Sequence, residues 1–186
     1  MLMGQRMKRF IGFIIGFLVG WILFAPLRAK ADINYNLLLN WSYQPPNVQQ
    51  NLVNQNTNIQ VVDELHYRSP VLADTYGYTT THVIPGINYV TNIDVVLEEG
   101  CEFALTHEVG HCLANANRIY QWWCFRPEFI QIWQNERHNC VLLYQGEDDI
   151  REYFATAYDA YIRFPQLLKY ACPDTYNYIR LVLRYT

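Results

Sequence analysis

The sequence lacks the patterns that mark several common classes of protein. No CxxC pair occurs among its five cysteines, which argues against a zinc ribbon held by paired thiolates. No internal repeat or low-complexity tract is present either. The chain has 186 residues, a length that suits one domain. Apolar residues make up 51% of it, which is enough to form a hydrophobic core and is unlike a disordered chain.

Acidic residues are absent from residues 1–31, which instead hold five of the 14 basic residues in the chain. The rest of the chain therefore carries nine basic residues against 17 acidic ones, a formal charge of −8. A body with this charge argues against binding to a phosphate backbone, so nucleic acid is not expected as a partner.

Residues 1–31 have the pattern of a secretory signal peptide. A basic start is followed by an uncharged apolar run, and Ala29 and Ala31 supply the small residues that a signal peptidase reads. We expect cleavage after Ala31, which leaves residues 32–186 as the secreted domain. The alternative is an uncleaved membrane anchor, which also places the body outside the cytoplasm because the basic start stays inside.

The five cysteines all lie in the part of the chain that is expected to be exported, where disulfides can form. Their odd number leaves at least one thiol free or paired with another chain. Cys124 and Cys140 bracket one helix-like segment and are the first-choice pair, although spacing does not fix the connectivity.

The hydrophobic pattern changes along the chain from strand-like to helical. Residues 34–46 look irregular, whereas three later segments are rich in β-branched and aromatic residues. The order of one helix, then strands, then helices indicates an α+β domain. The predicted helices are 46–56, 99–116, 126–138, 147–163 and 174–184, and the predicted strands are 58–67, 75–84 and 87–97.

The strongest motif is HEVGH, residues 107–111. On a helix, His107 and His111 lie about 40° apart and one turn along, so both imidazoles can reach one metal ion. Glu108 lies about 100° round from His107, beside the ion, where it can act as a general base. Gly110 indicates the close approach of another backbone. The alternative is a buried core helix with hydrogen-bonded histidines, but such a helix rarely carries three polar residues without partners.

A catalytic zinc ion needs a third protein ligand and keeps its fourth position open. A metzincin would have a histidine where Asn117 stands, so that class is excluded. The remaining choices are His138 and the acidic residues near and along the predicted helix 147–163. Glu152 lies centrally on the polar side of that helix, next to the small Ala155, although such a stripe is often a solvated face.

HEVGH followed downstream by EYFA, residues 152–155, resembles the gluzincin metallopeptidases. Within them it is similar to the small secreted relatives of the anthrax lethal factor catalytic domain. The upstream segments GYTTTHV and NIDVVL resemble the edge strand and the strand before the active-site helix of that family. The resemblance implies a zincin-like domain, in which a small mixed sheet is followed by the HExxH helix and by further helices.

The same resemblance implies how the site is assembled. It gives Glu108 the role of general base and one zinc ion (Zn²⁺) per chain. The family has a tyrosine shortly before its third ligand, where it can donate to the oxyanion. That position is Gln145 here, so the preceding Tyr144 is the candidate donor. The implied zinc ligands are His107, His111 and Glu152.

Other residues could hold the substrate or support the ligands. An extended peptide could add to an exposed sheet edge, for which residues 77–84 are the candidate, although they could equally form an ordinary solvent-facing strand. Trp122 and Trp123 could line a pocket, but core packing is the more common use of tryptophan. Asp159 could hydrogen-bond to a ligand histidine or be solvated.

These features favour a secreted zinc endopeptidase that acts on peptide or protein substrates. The alternative is a non-catalytic exported metal-binding or interaction protein, whose HEVGH holds a structural metal. A structural site closes all four metal positions with protein ligands and has no need of Glu108. A further alternative is a toxin domain that enters another cell with the help of another chain.

The pattern of residues 1–31 predicts the start of the mature protein. Sequencing the N-terminus of protein recovered outside the cell should give Asp32, because Ala29 and Ala31 mark the cleavage site. Recovery of a chain that begins at Met1 in a membrane fraction would show an anchor instead.

Overall fold

The computed structural model describes residues 34–63, 65, 76–116, 118–140, 143 and 148–186. Within these residues, seven α-helices and three β-strands form an α+β domain, as the sequence predicts. None of these helices is both long and apolar enough to cross a membrane. The predicted signal peptide and Tyr144 lie outside the described residues.

The strands lie between two groups of helices. Helix α1 spans Tyr35–Ser42 and α2 spans Pro46–Asn54; they are followed by β1 (Thr57–Val62), β2 (Gly77–Ile84) and β3 (Tyr89–Glu98). A short 3-10 helix at Glu102–Ala104 leads directly into α3 (Leu105–Leu113). The remaining helices are α4 (Pro127–Glu136), α5 (Ile150–Arg163), α6 (Pro165–Ala171) and α7 (Pro173–Tyr185).

Two of these helices were not among the predicted helices. Helix α1 occupies a segment predicted to be irregular, and that prediction is wrong because the side chain of Asn34 caps the helix by accepting a hydrogen bond from the Leu37 amide. Helix α6 was not predicted at all. Pro165 and Pro173 stand at the start of α6 and α7, where a missing N–H costs nothing, so each proline begins a new helix.

The helix predicted over residues 99–116 is shorter than expected. Gly100 has a φ of +83°, a left-handed conformation that a helix interior does not accept. A regular α-helix therefore begins only at Leu105, after the 3-10 turn. The other predicted helices and strands are confirmed to within a few residues over the described positions.

The three strands form a mixed sheet in the order β1-β3-β2. β1 runs parallel to β3, and β2 runs antiparallel to it, so β2 is an edge strand of the sheet that the described residues form. Side chains alternate between the two faces, and directly paired residues share a face. The inner row of β2 is Gly77, Thr79 and Thr81, which pair with the fully buried Leu97, Val95 and Ile93 of β3.

Helix α3 packs between the sheet and α5. Its contact with α5 is unusually close at Gly110, where an added Cβ would lie 2.6 Å from the Cα of Ala155 and 2.8 Å from its carbonyl oxygen. The prediction that Gly110 admits another backbone is confirmed. The HEVGH helix is therefore held directly against the backbone of the EYFA segment.

The predicted disulfide between Cys124 and Cys140 is wrong, because all five cysteines are free thiols. These two residues stand at opposite ends of α4, whose 10 residues extend over about 15 Å at 1.5 Å per residue. A disulfide requires Cα atoms within about 7 Å of each other. Burial raises the pKa of the Cys124 thiol to about 12, which keeps it protonated.

Gly110→Ala should destabilise the domain because the new methyl group meets backbone atoms, which cannot rotate away. Overpacking typically costs about 1–3 kcal/mol, and we expect a loss at the upper end of that range in chemical denaturation. Gly86→Ala is the matched control, since its Cβ would meet nothing within 4 Å and only the φ of +87° opposes it. Equal losses in the two variants would contradict the close approach of the helices.

Candidate metal centre

Helices α3 and α5 bring two imidazoles and one carboxylate to a single point. His107 Nε2 lies 3.2 Å from His111 Nε2 and 3.2 Å from Glu152 Oε2. His111 Nε2 lies 3.4 Å from Glu152 Oε1. Among the described residues these three form the group of potential metal ligands whose donor atoms all lie within 4.8 Å of one another.

The size of this triangle fits a tetrahedral zinc site. Zinc binds imidazole nitrogen and carboxylate oxygen at about 2.0–2.2 Å, which places two ligands of a tetrahedral ion about 3.3–3.6 Å apart. The nearest contacts of 3.2–3.4 Å, which reach the two different oxygens of Glu152, are close to that spacing, and one donor atom from each residue lies within 4.8 Å of the other two. Two histidines and a glutamate are also a donor set that zinc accepts, so the residues present fit the metal.

The electrostatics of the site favour positive charge. Hydrogen bonds from His107 and from His111 hold the pKa of Glu152 well below its usual range, so this residue is a carboxylate. Burial alone would lower the pKa of His107, but the hydrogen bond to Glu152 and the charges of Glu108, Glu152 and Asp159 outweigh it and raise that pKa. These three carboxylates thus favour a positive charge at this point. A divalent metal ion would supply that charge.

Glu108 lies beside the triangle of ligands and is not part of it. The residue is only 5% exposed, and its Oε2 accepts a hydrogen bond of 2.7 Å from the hydroxyl of Thr79 on β2. Gly77 lies against its side chain, since an added Cβ there would be 3.3 Å from Glu108 Cγ. The carboxylate is therefore fixed by the neighbouring strand, close to the ligands but separate from them.

A cleft runs over this group and is lined by residues of β2, α3 and α5. The predicted edge strand, residues 77–84, borders it with Gly77, Tyr78, Thr79 and Thr81. The ligands are reachable from this cleft, because the side chains of His107, His111 and Glu152 are 20%, 21% and 41% exposed. A site with this exposure is open to a substrate.

The two tryptophans have other environments. Trp123 packs against Tyr178 and Tyr185, with ring centroids 6.4 Å and 6.2 Å apart, and is partly buried against the core. Trp122 is 42% exposed and lies beneath the guanidinium of Arg126. From this segment it is instead Tyr120 and Gln121 that line the cleft.

The residue next to His107 Nδ1 is Thr156, whose hydroxyl lies 3.5 Å away. No motif in the sequence marks Thr156, although it stands one helical turn after Glu152 and therefore on the same face of α5. Asp159, which was expected near a ligand histidine, forms an ion pair with Arg163 at 2.7 Å. Its charge still acts on His107 through space.

His138, the other downstream histidine considered as a third ligand, is exposed on the turn after α4 and does not belong to the ligand group. Tyr144 lies outside the described residues, so its role as donor to the oxyanion stays a prediction. Of the residues considered for the third ligand, it is Glu152 that the described geometry brings to the two histidines.

Comparison with known proteins gives the chain a family. Residues 46–182 match the family described as anthrax toxin lethal factor, N- and C-terminal domain. The chain belongs to the anthrax toxin lethal factor family. The resemblance drawn from HEVGH and EYFA is therefore confirmed. No curated protein sequence matches the chain.

A solved structure similar to this member of the lethal factor family is the Pro-Pro endopeptidase PPEP-2 from Paenibacillus alvei. The TM-score is 0.55 at 16% sequence identity, and the match covers 83% of this chain and 95% of that chain. At this identity the likeness concerns the fold alone. It confirms the zincin-like α+β domain with a small mixed sheet.

Glu152→Ala should remove tight zinc binding, because two histidines alone would remain. The loss of affinity should exceed the roughly 10–100-fold that removal of an outer hydrogen-bond partner costs. Zinc titration of folded variants measures this, with Asp148→Ala as the control, since Asp148 is exposed just before α5.

His138→Ala provides the opposing test and should bind zinc like the wild type. If Glu152→Ala kept the wild-type affinity while His138→Ala lost it, the glutamate would not be the third ligand.

Proposed function

We propose that this chain is a zinc-dependent endopeptidase. The observation that carries the proposal is the convergence of two imidazoles and one carboxylate, with nearest contacts of 3.2–3.4 Å, beneath an open cleft and beside the separate carboxylate of Glu108. His107, His111 and Glu152 would hold one zinc ion and leave its fourth position for the reaction.

The chain's own residues divide the chemistry between them. A zinc ion held by these ligands would supply Lewis acidity, which polarises a peptide carbonyl and lowers the pKa of water. Glu108 takes the proton of the attacking water and delivers it to the amine that leaves. Thr156 lies beside His107 Nδ1 and helps to orient the ring. Tyr144 is the proposed donor to the oxyanion.

An extended peptide is the substrate class that suits this cleft. The outer side of β2 offers main-chain donors and acceptors along the cleft, so a peptide could pair with it as an added strand. Tyr76 and Phe103, whose ring centroids are 5.4 Å apart, add an apolar surface for a substrate side chain. Both rings are about half exposed and therefore accessible.

A non-catalytic metal-binding protein is the second reading, and two observations weigh against it. A structural zinc site closes all four positions, whereas three ligands converge in the described residues and the cleft lies over them. The buried Glu108 carboxylate has no role in a structural site. The proposal also includes export, with residues 1–31 as the signal peptide and 32–186 as the secreted domain, supported by the basic start and apolar run.

Glu108→Gln should keep zinc and lose nearly all turnover, because the amide cannot accept the proton. General base catalysis contributes typically about 10²–10⁴-fold, and we expect kcat to fall by that factor. Cleavage of a peptide library followed by mass spectrometry, together with metal analysis, measures both properties. Glu128→Gln is the control, since that carboxylate is exposed and paired with Arg126 outside the cleft.

Two outcomes would contradict the proposal. Wild-type turnover in Glu108→Gln would exclude Glu108 as the base. One zinc ion per wild-type chain without cleavage of any peptide in the library would favour the binding protein instead.

A further inference from the structure

We propose that Thr79 is a positioning residue for Glu108. Glu108 stands on the HEVGH helix, but its carboxylate is held in place by the hydroxyl of Thr79 on the edge strand. The inference rests on the proposed function, because it gives Thr79 a part in the reaction through the general base. The sequence motif does not include Thr79, which lies 29 residues before Glu108.

The hydrogen bond between the two side chains is short and lies in a largely buried place. Thr79 Oγ1 is 2.7 Å from Glu108 Oε2 and 3.3 Å from the carbonyl oxygen of the same residue. The hydroxyl has one hydrogen to donate, and the nearer, charged acceptor binds it more strongly. Glu108 is 5% exposed, so little water competes for its carboxylate.

The inner face of β2 is shaped for this contact. Gly77 and Thr79 are two residues apart and therefore point to the same side, toward α3. At position 77 a Cβ would lie 2.9 Å from Leu97 Cδ2 and 3.3 Å from Glu108 Cγ, so glycine leaves room for the glutamate stem. Threonine is β-branched and stiff about χ1, so its hydroxyl is oriented in advance.

The consequence for catalysis follows from the two oxygens of one carboxylate. When Thr79 binds Oε2, the plane of the carboxylate is fixed and Oε1 is left to accept the proton. A base must lie within about 2.6–3.2 Å of the proton donor, and a misplacement of about 1 Å can cost about 10²-fold in rate. Loss of the hydroxyl should therefore lower kcat, whereas KM should change little because peptide pairing uses the backbone of β2.

The first experiment compares Thr79→Val, which removes the hydroxyl at nearly constant shape, with Thr79→Ser, which keeps it. We expect kcat to fall about 10–10²-fold in Thr79→Val, with KM and bound zinc unchanged, and to be largely restored in Thr79→Ser. Thr57→Val is the matched control. It removes a hydroxyl from β1 whose oxygen is buried without a hydrogen-bond partner among the described residues, so kcat should not change.

The second experiment tests the contact itself and does not need activity. The unfolding midpoints of the wild type, Thr79→Val, Glu108→Ala and the double variant are compared in the purified protein. The shifts of the two single variants should be non-additive in the double variant, because each single change breaks the same hydrogen bond. If Thr79→Val does not fold, Thr79→Ala, which only removes atoms, replaces it in both experiments.

The outcomes separate the two proposals. Additive midpoints, wild-type kcat in Thr79→Val, or a fall in kcat that follows a loss of bound zinc would each overturn the role of Thr79 and leave the peptidase intact. Non-additive midpoints in a chain that cleaves no peptide would overturn the proposed function and reduce Thr79 to a structural contact.

Discussion

The close approach of α3 and α5 at Gly110 and Ala155 is the constraint on which the site depends. An added Cβ at Gly110 would lie only 2.6 Å from the Cα of Ala155, so the two backbones are almost in contact. Gly110 directly precedes His111, and Ala155 stands three residues after Glu152 on α5. The distance between the histidines and Glu152 is therefore set by two backbones in contact, and a larger side chain at either position would move the ligands apart.

A buried polar network also joins the two helices. The Tyr158 hydroxyl on α5 donates to Gln44 Oε1 at 2.6 Å, and Gln44 Nε2 donates to the Thr106 hydroxyl on α3 at 3.1 Å. All three side chains are buried, so leaving any of them without a partner would be costly. The network joins the two helices to the segment between α1 and α2, directly before His107. A glutamine far from the motif thus helps to hold the HEVGH helix against α5.

The grouping of His107, His111 and Glu152 could be predicted from the sequence, in part because the geometry of the two histidines is local. His107 and His111 share a helix face through their spacing alone, and Glu152 stands out on α5 by its polar surroundings and its resemblance to a known motif. Thr79 could not be predicted, because its contact with Glu108 depends on how a strand packs on a helix. The same holds for α1, whose apolar run has no clear period. The disulfide prediction was wrong because α4 lies between Cys124 and Cys140, and its length keeps the two residues apart.

An exposed strand edge is a hazard, because it can pair with the sheet of a neighbouring molecule. The pairing of β2 with β3 shifts register between His82 and Val83, where Thr91 of β3 is the extra residue of a bulge, and a bulge increases the local twist of the two strands. His82 also forms an exposed ion pair with Asp94 on the sheet surface beside the bulge, at 2.8 Å. The straight part of the edge is therefore short. An edge of this length still has room for one extended peptide but offers little length for pairing with the sheet of another molecule, which disfavours edge-to-edge aggregation.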